Sequence, residues 1–256
     1  MSTIDLSFFV PFSLELDSET NLIMKADNIP LEYNTRKLLD MKKVIFDQTW
    51  LMQQEDNFDL YYMYRDFTKG KDKILFQDQN VRYDITIIPP RKLGKEYVKT
   101  AGHFHPEAED KHCYPEVYEV MNGKGLYLLQ RRPEDTTEEE IEIIIIEGTK
   151  GDQILIPPGY GHVTINPTEN ETLVMNNLVS SQFDSIYSYI REHNGAAYLY
   201  LSSNEWKKNP AYKDKKLKIS EKIPKKISNK PFYQAFLDEP DNWEFLNKPM
   251  KKENWL

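Results

Sequence analysis

Residues 151–166 read Gly151-Asp152-Gln153-Ile154-Leu155-Ile156-Pro157-Pro158-Gly159-Tyr160-Gly161-His162-Val163-Thr164-Ile165-Asn166. The run from Gln153 to Ile156 predicts a short strand, and the Pro-Pro-Gly turn after it presents His162 at a sheet edge or barrel mouth. Upstream, a second stretch reads Gly102-His103-Phe104-His105, followed by Glu116 and then Gly123. Three of the chain's five histidines and one carboxylate thus stand in strand-like segments punctuated by glycine.

Side chains at i and i+2 of a strand share a face, so His103 and His105 project to one side and Phe104 to the other. The run Glu116-Val117-Tyr118-Glu119-Val120-Met121 is rich in strand formers and puts Glu116, Tyr118 and Val120 on one face. Asn122-Gly123 then reads as a hairpin turn, with Lys124 to Gln130 as the return strand. A lone His on a strand is ordinarily packed or surface-exposed, and His193, in the polar turn Glu192-His193-Asn194-Gly195, is read that way. An HxH pair with a carboxylate and a distant His is different: that set binds one divalent transition metal. Ligands converging from separate strands fit a small barrel better than a helical bundle.

Gly151, Pro157, Gly159, His162 and Asn166 match every fixed position of the cupin pattern G-x5-P-x-G-x2-H-x3-N, and His103, His105, Glu116 and Gly123 match its H-x-H and E-x6-G pieces. Ten residues separate His105 from Glu116, more than cupins commonly show. Glu109, at the shorter spacing, and His112 are therefore rival ligands. Glu116 is favoured for its apolar strand and its spacing to Gly123. A closer resemblance spans roughly residues 35 to 205. Gly94-Lys95-Glu96-Tyr97-Val98-Lys99-Thr100-Ala101-Gly102-His103-Phe104-His105, Pro115-Glu116-Val117-Tyr118 and Gly123-Lys124-Gly125 resemble the cupin-type glucose-6-phosphate isomerase family.

That resemblance implies a mainly β fold, a cupin double-stranded β-barrel (jelly roll), to which the chain itself adds a short N-terminal helix and a C-terminal extension. It implies one divalent metal held by His103, His105, Glu116 and His162, with Fe2+ favoured and Ni2+, Mn2+ or Zn2+ as alternatives. It places substrate phosphate on Thr86, Thr100 and Gly102, and catalysis on Glu116 and Tyr118. Tyr187 and Tyr189 are candidates for later substrate-contacting tyrosines. The implied reaction interconverts glucose 6-phosphate and fructose 6-phosphate, in glycolysis and gluconeogenesis, through a cis-enediol; a hydride shift is the other route. The implied assembly is a homodimer. The rival readings are another cupin metalloenzyme, acting on a different sugar or as an oxygenase, and a non-catalytic sugar-binding cupin.

The chemistry suits these residue types. Two hydroxyls and a backbone N–H can hold three oxygens of a phosphate dianion, and glycine lets the backbone come close. Lys95 is read either as an added positive charge nearby or as a solvated turn residue. A net charge of −8 argues against a general nucleic-acid partner. The single cysteine, Cys113, allows no internal disulfide and fits a reducing, cytoplasmic setting. No apolar run reaches the roughly 20 residues that span a bilayer. The opening residues lack the basic and long apolar parts of a signal peptide.

Three parts are expected along the chain. Residues 1–57 carry strands and a helix packed on the barrel, with a hairpin over Ser18 to Asn28 and helical character at Leu38 to Lys43 and Gln48 to Glu55. Residues 58–203 carry the cupin barrel and its metal site, with Glu134 to Glu142 as an acidic, solvated loop. Residues 204–256 form a lysine-rich linker, with ten lysines between Lys207 and Lys230, and a C-terminal extension.

Overall fold

The computed structural model describes residues 3–131 and 140–255. Its elements are mainly strands, as expected, numbered here in chain order. β1 (Thr3–Asp5), β2 (Leu14–Asp17) and β3 (Leu22–Ala26) form a three-stranded antiparallel sheet, whose β2–β3 hairpin lies where the sequence placed one. β4 (Asn34–Lys37), β5 (Asp59–Tyr64) and β6 (Val81–Ile88) follow, and the short pairs β7 (Lys92–Leu93) with β8 (Glu96–Tyr97) and β9 (Glu107–Glu109) with β10 (His112–Cys113). Then come β11 (Glu116–Asn122), β12 (Lys124–Arg131), β13 (Glu140–Thr149), β14 (Gln153–Ile156), β15 (Tyr160–Ile165) and β16 (Leu173–Ser180). β17 (Tyr198–Tyr200), β18 (Trp206–Lys208) and β19 (Lys216–Lys222) complete the set. The α-helices are short: α1 (Gln48–Met52), α2 (Lys73–Asp78), α3 (Ser188–Glu192) and α4 (Phe232–Asp238). The acidic loop expected from Glu134 falls largely on residues 132–139, outside the described residues, and Glu140 and Glu142 already belong to β13.

Two sheets dominate. One has six strands in the order β14-β11-β16-β6-β5-β4, the other four in the order β15-β12-β13-β19. Residues from both meet in one apolar cluster that includes Tyr118, Val120, Ile154 and Met175 from the first sheet and Tyr127, Leu128, Ile143 and Val163 from the second. Tyr127 lies 5.7 Å from Tyr118, centroid to centroid, and its hydroxyl reaches Met175 Sδ at 3.4 Å.

The expected hairpin at Asn122-Gly123 is not there. β11 pairs with β14 and β16, β12 pairs with β13 and β15, and the chain crosses between sheets at this turn. Packing explains the corner: Asn122 Nδ2 donates to the Thr172 carbonyl at 2.8 Å, and a Cβ at Gly123 would lie 2.6 Å from that same oxygen. The local turn signal was real, but burying both strands in different sheets outweighs pairing them with each other.

Both faces of the six-stranded sheet are covered, so β6 is buried along nearly its whole length although polar residues alternate with apolar ones over its first six positions. Along β6, Arg82, Asp84 and Thr86 share the face toward the second sheet, while Val81, Tyr83, Ile85 and Ile87 face a second core. That core is closed by residues from both ends of the chain: Leu6, Leu14, Leu16 and Ile23 on one side, Phe232, Tyr233, Phe236 and Trp243 on the other. Phe236 is fully buried and stacks on Phe76 at 4.3 Å. The C-terminal extension is therefore structural cover for the sheet that carries the site. The lysine-rich stretch before it keeps its lysines in solvent, yet its backbone adds β19 to the four-stranded sheet, parallel to β13. Among the described residues no helix is long and apolar enough to cross a membrane.

Candidate functional site

His103 and His105 lie on an extended segment beside β15, where His103 and His162 exchange backbone bonds at 3.0 and 3.3 Å. The predicted alternation holds: Phe104 turns the other way, against Tyr189 and directly beneath Gly161, where a Cβ would come within 2.5 Å of the ring. His162 is on β15, at the edge of its sheet, and Glu116 opens β11 in the facing sheet. The two sheets thus bring together three imidazoles and one carboxylate.

In that group one ligand atom from each of His103, His105, Glu116 and His162 lies within 4.8 Å of every other. His103 Nε2 is 3.2 Å from His105 Nε2, and Glu116 Oε2 is 3.4 Å from His105 Nε2 and 3.2 Å from His162 Nε2. Ligands with bonds of about 2.1 Å to one metal sit roughly 3.0–3.4 Å apart, so these edges have the size a metal requires. The donor chemistry agrees. The Tyr114 carbonyl, 2.9 Å from His105 Nδ1, can only accept, which fixes the proton on Nδ1 and leaves the Nε2 lone pair facing the cluster. Among the described residues buried Glu116 Oε2 has no well-aligned hydrogen-bond donor despite its two imidazole neighbours, as expected of an oxygen that shares a cation with them.

Electrostatics favour the ligating protonation states. Burial, with the neighbouring His162 and His105 rings, holds His103 well below the ordinary imidazole value, and Glu116 does not offset this. Burial also lowers His162 against the pull of Glu116. Burial alone would raise Glu116, but His105 and His162 outweigh it and hold the carboxyl well below its usual range. Burial, then the Glu116 charge, push the Tyr118 phenol well above its ordinary value, and its hydroxyl lies 3.1 Å from His162 Nε2. Neutral imidazoles, an ionised carboxylate and an intact phenol are what a divalent-metal site needs near neutral pH.

A cleft of about 560 Å³, counting its mouth, opens over this group. Thr86, Thr100 and Gly102 line it, as does Tyr118. Thr100 Oγ1 accepts from the Thr164 N–H at 3.0 Å, which leaves its own hydrogen to point elsewhere. Gly102 has φ +74°, and a Cβ there would lie 2.5 Å from Val163 Cγ2, so both backbone and packing call for glycine. Of the rival ligands, His112 is exposed and Glu109 turns away to accept from the Met250 N–H; neither belongs to the group of four. Tyr187 lines the cleft, 5.4 Å from His103 between ring centroids, whereas Tyr189 stacks on His193. Lys95 is exposed and does not line the cleft.

Sequence reasoning missed the charged wall. Arg65 and Arg82 line the cleft, and both bind Asp84, which is 0% exposed. It also missed Tyr61, whose hydroxyl lies 3.2 Å from the Ala101 nitrogen and 3.3 Å from Arg36 Nε. The usable signal was the alternation Arg82-x-Asp84-x-Thr86 in an otherwise apolar strand: polar groups on one face of a buried strand require a reason.

The glucose-6-phosphate isomerase (GPI) family profile matches residues 35–216. A glucose-6-phosphate isomerase of Pyrococcus horikoshii is 28% identical over 211 residues, 80% of this chain and 98% of that protein. One of Thermococcus gammatolerans is 29% identical over 186 residues, 71% of this chain and 85% of that protein. Among solved structures, an oxalate oxidase in complex with the substrate analogue glycolate aligns with a TM-score of 0.35 and 14% identity, over 50% of this chain and 54% of that one.

Proposed function

From the premise that this chain belongs to the glucose-6-phosphate isomerase family, we propose that it interconverts glucose 6-phosphate and fructose 6-phosphate by a metal-dependent, cis-enediol route. The observation that carries the metal dependence is the convergence of His103, His105, Glu116 and His162 at the base of a cleft, with Glu116 Oε2 buried and without an aligned donor. A divalent metal held by these four, with Fe2+ favoured, would supply a Lewis acid that polarises the substrate carbonyl.

The chain's own residues do the rest. The Thr86 and Thr100 hydroxyls and the Gly102 N–H hold the phosphate, and that N–H makes no hydrogen bond within the described residues. Isomerisation moves a proton between C2 and C1; Glu116, ionised and buried, is the group we assign to carry it. Tyr118 keeps its proton through neutral pH, so it serves as a hydrogen-bond donor to the oxygen on which charge develops.

We further assign the enzyme to the cytoplasm as a homodimer, in keeping with one cysteine and the family membership. The division into 1–57, 58–203 and 204–256 is kept as a proposal, with both terminal parts covering the central one. The test is a coupled assay from fructose 6-phosphate to glucose 6-phosphate on chelator-stripped protein reloaded with Fe2+, Mn2+, Ni2+ or Zn2+. Activity restored by metal, and absent with unphosphorylated fructose, supports the reading. Protein that binds metal but turns over no fructose 6-phosphate overturns it.

A further inference from the structure

His105 is held from two sides. The Tyr114 carbonyl accepts from its Nδ1–H at 2.9 Å, and the Phe183 ring lies 4.5 Å from its own, centroid to centroid. Phe183 also stacks on Tyr114, at 4.7 Å and 21°, so the two supports touch each other. Tyr114 follows the β9–β10 hairpin, which is the insertion between His105 and Glu116. Phe183 follows the end of β16.

The C-terminal extension ties down both loops. Glu109 on β9 accepts from the Met250 N–H at 3.0 Å, and the 3-10 turn Pro249–Lys251 packs on both strands of the hairpin. Three residues earlier, Asn247 Oδ1 accepts from Ser180 Oγ at 2.6 Å, and Asn247 Nδ2 donates to the Gln79 carbonyl at 2.8 Å. Ser180 Oγ accepts in turn from the Gln182 N–H at 3.2 Å, next to Phe183. Behind Asn247, Phe245 and Leu246 are buried in the outer core, so the tie has a fixed base. Asn247 and Met250 lie beyond the 35–216 family match, and Glu109 lies in the insertion. Two of the parts of the chain that depart from the family's pattern, the insertion and the C-terminal extension, therefore meet, and they meet around one imidazole.

We propose that Glu109 and Asn247 are positioning residues that act through Tyr114 and Phe183 on His105, so that the C-terminal extension sets how firmly the cluster retains its metal. This rests on the metal-site reading above. The physical reason is that a metal leaves when a ligand swings away, and groups that orient a ligating histidine control that step. A hairpin on the surface opens locally at little cost unless something outside it holds it shut. Glu109 and Asn247 supply that hold, one to each support.

The test loads the full-length protein with Zn2+ and follows its release to a chromogenic chelator, for wild type, Glu109→Ala, Glu109→Gln and Asn247→Ala. Thermal unfolding of the metal-free forms is measured alongside. Glu109→Ala and Asn247→Ala should release Zn2+ about tenfold faster, in line with other changes to groups that orient a ligand. Glu109→Gln should stay near wild type, because its amide oxygen still accepts from Met250. Equal release rates in all four proteins overturn the proposal and leave the metal site standing, as does a lower melting temperature with unchanged release. Wild type that takes up no Zn2+, Fe2+ or Mn2+ overturns the metal reading and this proposal with it. Should Glu109→Ala not fold, Asn247→Ala decides.

Discussion

Asp84 Oδ2 lies 2.6 Å from Arg65 Nη1, inside the wall of the cleft. The same carboxylate takes Arg82 Nε at 2.9 and 2.8 Å and the Asp66 N–H at 2.9 Å. One buried anion thus holds two guanidinium groups, so this wall, set apart from Glu116, carries one positive charge in excess on a chain whose net charge is −8. Among the described residues Arg82 is bound through Nε alone, which leaves both of its Nη groups to meet a phosphorylated substrate. Arg82→Gln is expected to raise KM for fructose 6-phosphate about tenfold while kcat changes less than about threefold, the pattern of lost uniform binding. An unchanged KM would remove Arg82 from substrate recognition. Asp84→Ala should cost roughly 2–3 kcal/mol in denaturant unfolding, less than a fully buried pair because the Arg65 and Arg82 side chains are 40% and 31% exposed.

His105→Ala and His162→Ala each remove one ligand from the group of four and leave a cavity in a buried wall. Both variants should lose stoichiometric metal binding, measured by metal analysis after dialysis, and with it the metal-dependent activity. Tyr118→Phe is different. It keeps the ring and its packing on Tyr127 but loses the hydroxyl 3.1 Å from His162 Nε2. Metal content should stay near wild type while kcat falls about a hundredfold, the low end for a proton-handling group. A Tyr118→Phe enzyme with full kcat would leave the phenol no part in the chemistry.

Gly102→Ala tests the proposed phosphate loop. The residue has φ +74°, and its new Cβ would lie 2.5 Å from Val163 Cγ2, beside His103. Left-handed strain and overpacking together are expected to cost about 2–4 kcal/mol in unfolding free energy. Because Val163 sits next to His162, the shift that relieves the clash should also raise KM for the sugar phosphate. A variant with wild-type stability and KM would show that the loop moves freely and that the glycine is not demanded by the site.

The site was more legible in the sequence than the path of the chain around it. His103 and His105 could be placed on one face because the strand period is two, and Glu116 could be chosen over Glu109 because it opens an apolar run. Both inferences concern neighbours in sequence. Asn122-Gly123 misled for the same reason: its hairpin signal is local, whereas the decision to cross between sheets depends on what β11 and β12 pack against. The outer core was not legible because it joins Leu6 and Leu16 to Phe232 and Trp243, some two hundred residues away, with no periodic signal linking them. Asp84 was passed over because, although Arg82 is its neighbour on the same strand, its other partner Arg65 arrives only from just beyond the end of β5.

Acid should unfold the metal-free protein earlier than its composition suggests. His103 and His162 are held below the ordinary imidazole value of 6.5, first by burial, and Glu116 below 4.5 by the two imidazoles beside it. In the unfolded chain these imidazoles take up protons near pH 6.5, while in the fold they stay neutral to lower pH. Stability rises with pH wherever the unfolded state binds more protons, so it is lost as pH falls below about 6.5, and Glu116 adds to the loss below about 4.5. The melting temperature of chelator-treated protein should therefore drop between pH 7 and pH 5.5, and His103→Gln should flatten that drop by removing one of its two sources. Metal-loaded protein should show a steeper fall over the same interval, because protons and metal compete for the same nitrogen atoms. A His103→Gln profile as steep as wild type would place the acid sensitivity on other groups.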